Sequence, residues 1–323
     1  MRGQLRYHEL VVRSLRSSGL SAHTLLDPAR LAASVPQAWW LLGRLRPAAL
    51  FTTGGYLALP LVLAARARGV PTLVWEGNVL PGRATRAIGR YATRVAVSFP
   101  PTLEAFPDNG FVSGTPIRSF AGIDRDAARH ALGLDPGDRM LLVFGGSQAV
   151  ARMNAALAES LPRLVPDWHV LHLAGEDGMA DAGAARQALP EALRPRYTAE
   201  PFLTDRMADA LVAADLVLGR AGSSTCAELA AAGVPSILVP YPFAGAHQRY
   251  NAGYLADEGA AIVVPDEELA AERLVAETTA LLDDTRRRAM ADAARRLGRP
   301  HAARDLADEL IAMAERRTAP GPS

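Results

Sequence analysis

Short apolar runs that end in glycine, each followed by a helical pattern, recur along the whole chain. Ala49–Thr53 leads into Gly54-Gly55 and a helical stretch through Ala67. Met140–Phe144 leads into Gly145-Gly146 and a helical stretch from Ala149 to Leu164. Leu216–Leu218 leads into Gly222-Ser223-Ser224 and a helix that carries Glu228. Thr72–Glu76, Arg94–Ser98, His169–Ala174 and Ser236–Val239 read as further strands, and Asn251–Asp257, Leu269–Asp283 and Ala302–Arg316 as further helices. Strand, short glycine loop and helix in repetition predict an α/β protein with parallel sheets, because parallel neighbours need a crossover and a helix supplies it. Ligands of such sheets sit at the carboxyl ends of the strands, where these loops lie.

A chain of 323 residues has the length of two domains. The turn-rich stretch Phe106–Gly122 is the predicted boundary. This gives a first domain at 1–115, a second at 116–300, and a C-terminal helix and tail at 301–323 placed to pack back on the first domain. The single cysteine, Cys226, excludes a disulfide framework and points to a reducing compartment. No apolar run reaches the roughly 18 residues of a transmembrane helix, and the first residues are not followed by a signal-peptide run. Residues 1–117 hold 13 Arg against 5 acidic side chains, and the remainder holds 22 against 29. The first half therefore suits an anionic partner, nucleic acid or acidic phospholipid by charge alone. It carries no recognisable nucleic-acid module, and nucleic-acid binding is not expected.

Three loops carry candidate chemistry. Gly145-Gly146-Ser147-Gln148 opens a helix, where glycine lets backbone approach a ligand and the helix end offers unpaired amides; a tight turn would need the same glycines. Arg220-Ala221-Gly222-Ser223-Ser224-Thr225 offers three hydroxyls and helix-end amides to a diphosphate, with the Glu228 carboxylate one turn on for ribose hydroxyls. Equally, Ser223 or Ser224 could be an ordinary N-cap. His247-Gln248, after Pro240-Tyr241-Pro242-Phe243 and before Asn251, suits hydrogen bonding to a sugar; a lone histidine there is more often structural.

Together, Gly145–Gln148, Phe202-Leu203-Thr204-Asp205-Arg206-Met207, Ala221–Glu228 and His247-Gln248 through Asn251 resemble the donor domain of the MurG family, bacterial enzymes that make lipid II from lipid I. Thr53-Gly54-Gly55-Tyr56, Glu76-Gly77-Asn78 with Pro81-Gly82, and Gly114-Thr115-Pro116-Ile117-Arg118 resemble that family's acceptor loops and inter-domain segment. The resemblance spans nearly the whole chain. It implies the GT-B fold, two Rossmann-like domains facing a cleft, and an inverting transfer of GlcNAc from UDP-GlcNAc to lipid I at the cytoplasmic face of the plasma membrane, without a cofactor. Arg118 would lie against the nucleotide or its phosphates, Phe202 and Leu203 beside the uracil, and Ser223, Ser224, Thr225, Cys226 and Ala227 along the diphosphate. Glu228 would hold the ribose, Ser147 and Gln148 would line the donor cleft, Gln248 with His247 beside it would read the GlcNAc hydroxyls, and Asn78 would reach the donor sugar from the acceptor side. Gly54, Gly55, Tyr56 and Glu76 would receive lipid I, and Glu76 is the one carboxylate in a motif that a general base could come from.

The chain departs from the family at Trp75 (His in the family), Gly77 (Gln) and Ala149 (Gly). Family sequences also begin some tens of residues earlier, with a strand and a Gly-rich loop ending in His, so the first domain is expected to be N-terminally truncated. Related readings are another GT-B glycolipid transferase, a UDP-sugar 2-epimerase, or a UDP-sugar-binding protein left inactive by that truncation. No His/Cys cluster has metal-ligand spacing, and no metal is expected. Leu31, Val35, Trp39 and Leu42 recur at helical spacing, Trp40 extends the surface, and Arg30, Arg44 and Arg46 flank it. Such a face suits a membrane interface and equally suits packing onto a sheet.

Overall fold

The computed structural model describes residues 8–10, 22–145, 151–242 and 247–318, and of 22–32 the backbone only. The chain divides into two compact units, Met1–Ser113 with Ala303–Ser323, and Gly114–Ala302.

The first unit runs α1 (Ala22–Leu45), β1 (Leu50–Thr52), α2 (Leu59–Ala67), β2 (Thr72–Glu76), α3 (Arg83–Gly89), β3 (Arg94–Val97) and β4 (Gly110–Val112). The four strands form one parallel sheet in the order β1-β2-β3-β4. Val74, Val95 and Val97 pack on Val62 of α2 and Ile88 of α3. A fully buried valine or isoleucine of this kind contributes roughly 1.5–3 kcal/mol, which fixes both helices on one face. Ala38 and Leu42 of α1 pack on Ala64, Ala65 and Val70.

The second unit runs α4 (Arg125–Ala131), β5 (Met140–Phe144), α5 (Ala151–Leu164), β6 (His169–Leu173), α6 (Met179–Ala188), β7 (Tyr197–Glu200), α7 (Met207–Ala213), β8 (Leu216–Gly219), α8 (Ser223–Ala232), β9 (Ser236–Leu238), α9 (His247–Asp257), β10 (Ala261–Val263), α10 (Ala271–Ala280) and α11 (Asp284–Leu297). Its six parallel strands lie in the order β10-β9-β8-β5-β6-β7. Beginning from central β5 the chain builds outward through β6 and β7, then returns to β8 and builds the other way. The switch point therefore falls between the ends of β5 and β8, Phe144 and Gly219, which are register partners. Being covered on both faces, β5 is apolar at every position, and Leu141 and Val143 pack with Leu157, Leu161, Leu216 and Leu218.

After the second unit, α12 (Ala302–Thr318) rejoins the first. Its Leu306, Leu310 and Met313 cover the other face of β2, β3 and β4 through Leu73, Trp75, Ala96 and Phe111. Arg317 also donates to the Pro47 carbonyl.

Candidate functional site

A cavity of about 410 Å³ opens at the carboxyl ends of the second unit's strands, beside the switch point. Phe144 and Gly145 at the end of β5, Leu173–Asp177 after β6, and Pro201–Leu203 after β7 form its walls, with Thr225 and Glu228 of α8 and Arg118. Five residues expected to bind ligand, Arg118, Phe202, Leu203, Thr225 and Glu228, thus share one cavity. Phe202 is 57% exposed, a large apolar ring left on the rim.

The N-terminus of α8 lies at this cavity without a side-chain cap. Gly222 is the N-cap residue. Ser223, Ser224 and Thr225 are its first three residues, so neither serine takes the alternative role of N-cap, and their amides have no partner within the helix. Thr225 Oγ1 also lies over the N-cap, 3.7 Å from where a Gly222 Cβ would stand. Cys226 and Ala227 depart from the expected diphosphate set. The Cys226 amide already bonds the Gly222 carbonyl at 2.9 Å. Its thiol is fully buried, and burial pushes its pKa up to about 12. Ala227 lies past the first turn, where helix geometry pairs its amide with the carbonyl four residues back.

Arg118 Nε donates to Glu228 Oε1 at 2.7 Å. Arg220 is engaged internally, donating to Asp266 Oδ1 at 2.5 Å and to the Val239 carbonyl. Asn251, fully buried, donates to the Ala221 carbonyl at 3.2 Å, which ties α9 to the loop that starts α8. At the start of α9, Gln248 Oε1 accepts the Tyr241 amide at 2.9 Å, and His247 is the first residue of that helix. Neither residue lines the cavity formed by the described residues. Ser147 and Gln148 lie outside the described residues. Met207, the last residue of the Phe202–Met207 motif, also lines the cavity, as does the turn Gly175-Glu176-Asp177, which the sequence reading misses. A glycine-containing strand end, Leu173-Ala174-Gly175, was the one available cue.

At the carboxyl ends of the first unit's strands, Gly54 and Gly55 take φ of +78° and +82°, the left-handed region that favours glycine. A Cβ on Gly54 would also stand 2.6 Å from Thr85 Oγ1. Tyr56 follows them, exposed. Glu76 differs from a candidate base. It is buried, Oε1 accepts the Asn78 amide and Asn78 Nδ2 at 3.0 and 3.1 Å, and Oε2 accepts the Gly82 amide at 3.2 Å. A carboxylate holding three donors clamps its loop and leaves little acceptor capacity for a substrate proton. Thr102 holds the same loop from below through the Asn78 and Val79 carbonyls.

The proposed membrane face of α1 is also redrawn. Leu42 is 4% exposed and packs inward beside Ala38, whereas Trp39 and Trp40 are 43% and 61% exposed. Arg68 stacks over Trp39 at 4.1 Å and Arg44 over Trp40 at 5.4 Å. Val35 is half-buried, and of Leu31 only its place in the helix is described. Asp124-Arg125-Asp126 has Asp-x-Asp spacing, but Asp124 caps α4 by accepting the Ala127 amide at 2.8 Å.

Residues 140–310 match the model of the glycosyltransferase family 28 C-terminal domain, and residues 2–97 that of its N-terminal domain. The UDP-N-acetylglucosamine--N-acetylmuramyl-(pentapeptide) pyrophosphoryl-undecaprenol N-acetylglucosamine transferase of Desulforudis audaxviator is 36% identical, over 97% of this chain and 86% of that protein. Its counterpart in Chlorobaculum tepidum is 38% identical, over 94% and 84%. The crystal structure of Acinetobacter baumannii MurG matches with a TM-score of 0.77 at 30% identity, over 88% of this chain and 79% of that one. With two parallel-sheet α/β units of the GT-B type, the chain belongs to the MurG family, within glycosyltransferase family 28.

Proposed function

We propose that this chain is an inverting N-acetylglucosaminyltransferase that carries GlcNAc from UDP-GlcNAc to lipid I, forming lipid II and UDP. The muramoyl 4-hydroxyl attacks the anomeric carbon, the bond to the diphosphate breaks, and the hydroxyl proton is lost. The observation that carries the reading is the switch-point cavity, where an uncapped helix end and a carboxylate one turn further in converge. In this reading the α8 amides and Arg118 take the diphosphate, whose charge grows as UDP leaves. Glu228 accepts from the ribose hydroxyls, and Phe202 and Leu203 flank the uracil. Because these groups meet the leaving-group charge, the proposed reaction draws on no metal ion or cofactor. The Gly54-Gly55 turn and the loop clamped by Glu76 form the acceptor side.

Lipid I is membrane-bound, and we place the enzyme as a peripheral protein on the cytoplasmic face of the plasma membrane. No described helix is long and apolar enough to cross a membrane. The exposed Trp39 and Trp40, with Arg44 and Arg68 stacked on them, support contact with an anionic surface. The test is transfer of labelled GlcNAc from UDP-GlcNAc to a short-chain lipid I analogue. Formation of the disaccharide lipid supports the reading. UDP binding without transfer keeps the nucleotide site and overturns the acceptor.

A further inference from the structure

Beneath the cavity lies a chain of polar side chains that the reaction itself does not use. His172, on β6, is 2% exposed. Its Nδ1 meets Tyr197 Oη of β7 at 2.9 Å, and its Nε2 meets Asn154 Oδ1 of α5 at 3.0 Å. Asn154 Nδ2 in turn donates to the Ala174 carbonyl at 3.0 Å. The directions are forced from that end. A carbonyl only accepts, so the Asn154 amide nitrogen points to Ala174 and its oxygen points to the imidazole. His172 Nε2 therefore carries the proton, Nδ1 is bare, and the Tyr197 hydroxyl donates to it. Burial agrees with this assignment: it lowers the His172 pKa to about 4, keeping the ring neutral, and raises that of Tyr197 to about 12.

The last link is functional in position. Ala174, Gly175, Glu176 and Asp177 line the cavity. Gly175 takes φ +73°, and a Cβ on Gly178 would stand 2.4 Å from Asn154 Nδ2, so the turn is seated against that amide. The Ala174 and Gly175 amides bond the Glu200 and Pro201 carbonyls at 2.9 and 3.2 Å, which joins the turn to the segment carrying Phe202. The side-chain network thus ties the first turn of α5 and the end of β6 to the start of β7, and the Ala174 and Gly175 amides join the same turn to the cavity end of β7. Asparagine is a poor helix former, and a satisfied buried polar network rigidifies the elements it joins, so this set does more than fill space.

We propose that His172 is a positioning residue for the nucleotide: acting through Asn154, it holds the Ala174–Gly178 turn in the geometry that UDP requires. This rests on the donor-site reading above. The test is calorimetric UDP binding by the full chain, run well below each variant's melting temperature. His172→Leu and Asn154→Leu are expected to weaken UDP binding about tenfold each, the scale of one lost buried hydrogen bond. The double variant is expected to be no weaker than either single one, because both break one chain. His172→Gln, whose amide can still donate to Asn154, is expected to stay within about threefold of the original. In transfer assays the loss should fall on KM for UDP-GlcNAc, with KM for the acceptor unchanged. If His172→Leu does not fold, Asn154→Ala at a half-buried position removes the donor to Ala174 without adding charge and should give the same weakening. Unchanged UDP affinity in the Asn154 variants, or equal losses in His172→Gln and His172→Leu, overturns the proposal. Failure of the unaltered chain to bind UDP overturns the donor-site reading and this inference with it.

Discussion

The Arg118 guanidinium donates through Nε to Glu228 Oε1 at 2.7 Å, so the one cation among the described residues of the cavity wall and the α8 carboxylate hold each other. In the proposed donor site both groups re-partner when a nucleotide enters, Glu228 toward ribose and Arg118 toward phosphate. Glu228→Gln replaces charge-assisted bonds with neutral ones, and UDP affinity should drop about 10- to 100-fold. Arg118→Ala should weaken UDP and leave uridine binding nearly unchanged. Stability should hardly move, because the Arg118 side chain is 41% exposed and such pairs contribute about 0–1 kcal/mol. Calorimetry with UDP and uridine separates the roles; equal losses for both ligands in Arg118→Ala would remove the phosphate assignment.

Phe202 presents more than half of its surface to solvent at the rim, so its burial contributes little to folding. In the proposed donor site the ring borders the uracil, and there it matters more. Phe202→Ala should weaken UDP by about 1–2 kcal/mol, roughly 5- to 30-fold, without lowering the melting temperature. A lower melting temperature with unchanged UDP binding would make the ring structural.

His172 makes stability depend on pH in a definite direction. Its folded pKa, about 4, lies below the ordinary 6.5 because burial disfavours the charged ring. Below pH 6.5 the unfolded chain takes up a proton that the folded chain refuses. Stability is therefore full above about 6.5 and falls until about pH 4, by as much as about 3 kcal/mol. The titratable side chain it touches, Tyr197, stays protonated throughout. Denaturant melts from pH 7.5 to 4.5 should show a steeper decline in the original chain than in His172→Gln. Parallel curves would mean that the buried ring is not the proton-linked group.

Cys226 is a built-in reporter on α8. Fully buried, with its pKa raised to about 12, it should resist a thiol reagent at pH 8 and react on unfolding. If the helix must open for the thiol to react, UDP at 100 times its Kd should slow labelling about a hundredfold. Labelling that is fast and indifferent to UDP would contradict both the burial and the nucleotide site.

Some of this was legible in the sequence for identifiable reasons. Thr72–Glu76 and Met140–Phe144 are strands with the bounds their apolar runs suggest, since strands buried on both faces are continuously apolar. The short strands Gly110–Val112, Tyr197–Glu200 and Ala261–Val263 were not read. Each lies at or near a sheet edge, where partial exposure erases the pattern, and Gly110–Val112 sits inside a stretch of turn residues. At the cavity, Thr225 and Glu228 could be read because a glycine loop announces a helix start. Phe202, Leu203 and Arg118 came from family resemblance alone, since nothing local distinguishes them. The Gly175–Asp177 turn is brought to the cavity by parallel register with β5, a relation between distant segments. Helical spacing put Leu42 with the tryptophans, but a face shared by spacing still has an inner edge, and Leu42 lies on it.

That inner edge makes the membrane reading testable with an internal control. Trp39 and Trp40 stand out from α1 with arginines stacked on them, whereas Leu42 is packed among Ala64, Ala65 and Val70. Trp39→Ala/Trp40→Ala should abolish or greatly reduce sedimentation with phosphatidylglycerol vesicles while leaving UDP affinity intact. Leu42→Ala should cost about 2–5 kcal/mol of stability through the cavity it creates, yet the folded fraction should bind vesicles as before. Because arginine sits beside each indole, binding should weaken with added salt, the surface charges being screened within about 8–10 Å at 0.10–0.15 M. Vesicle binding unchanged in the tryptophan double variant would place the lipid-facing surface elsewhere on the first unit. Binding lost in Leu42→Ala at full folding would restore leucine to the interface.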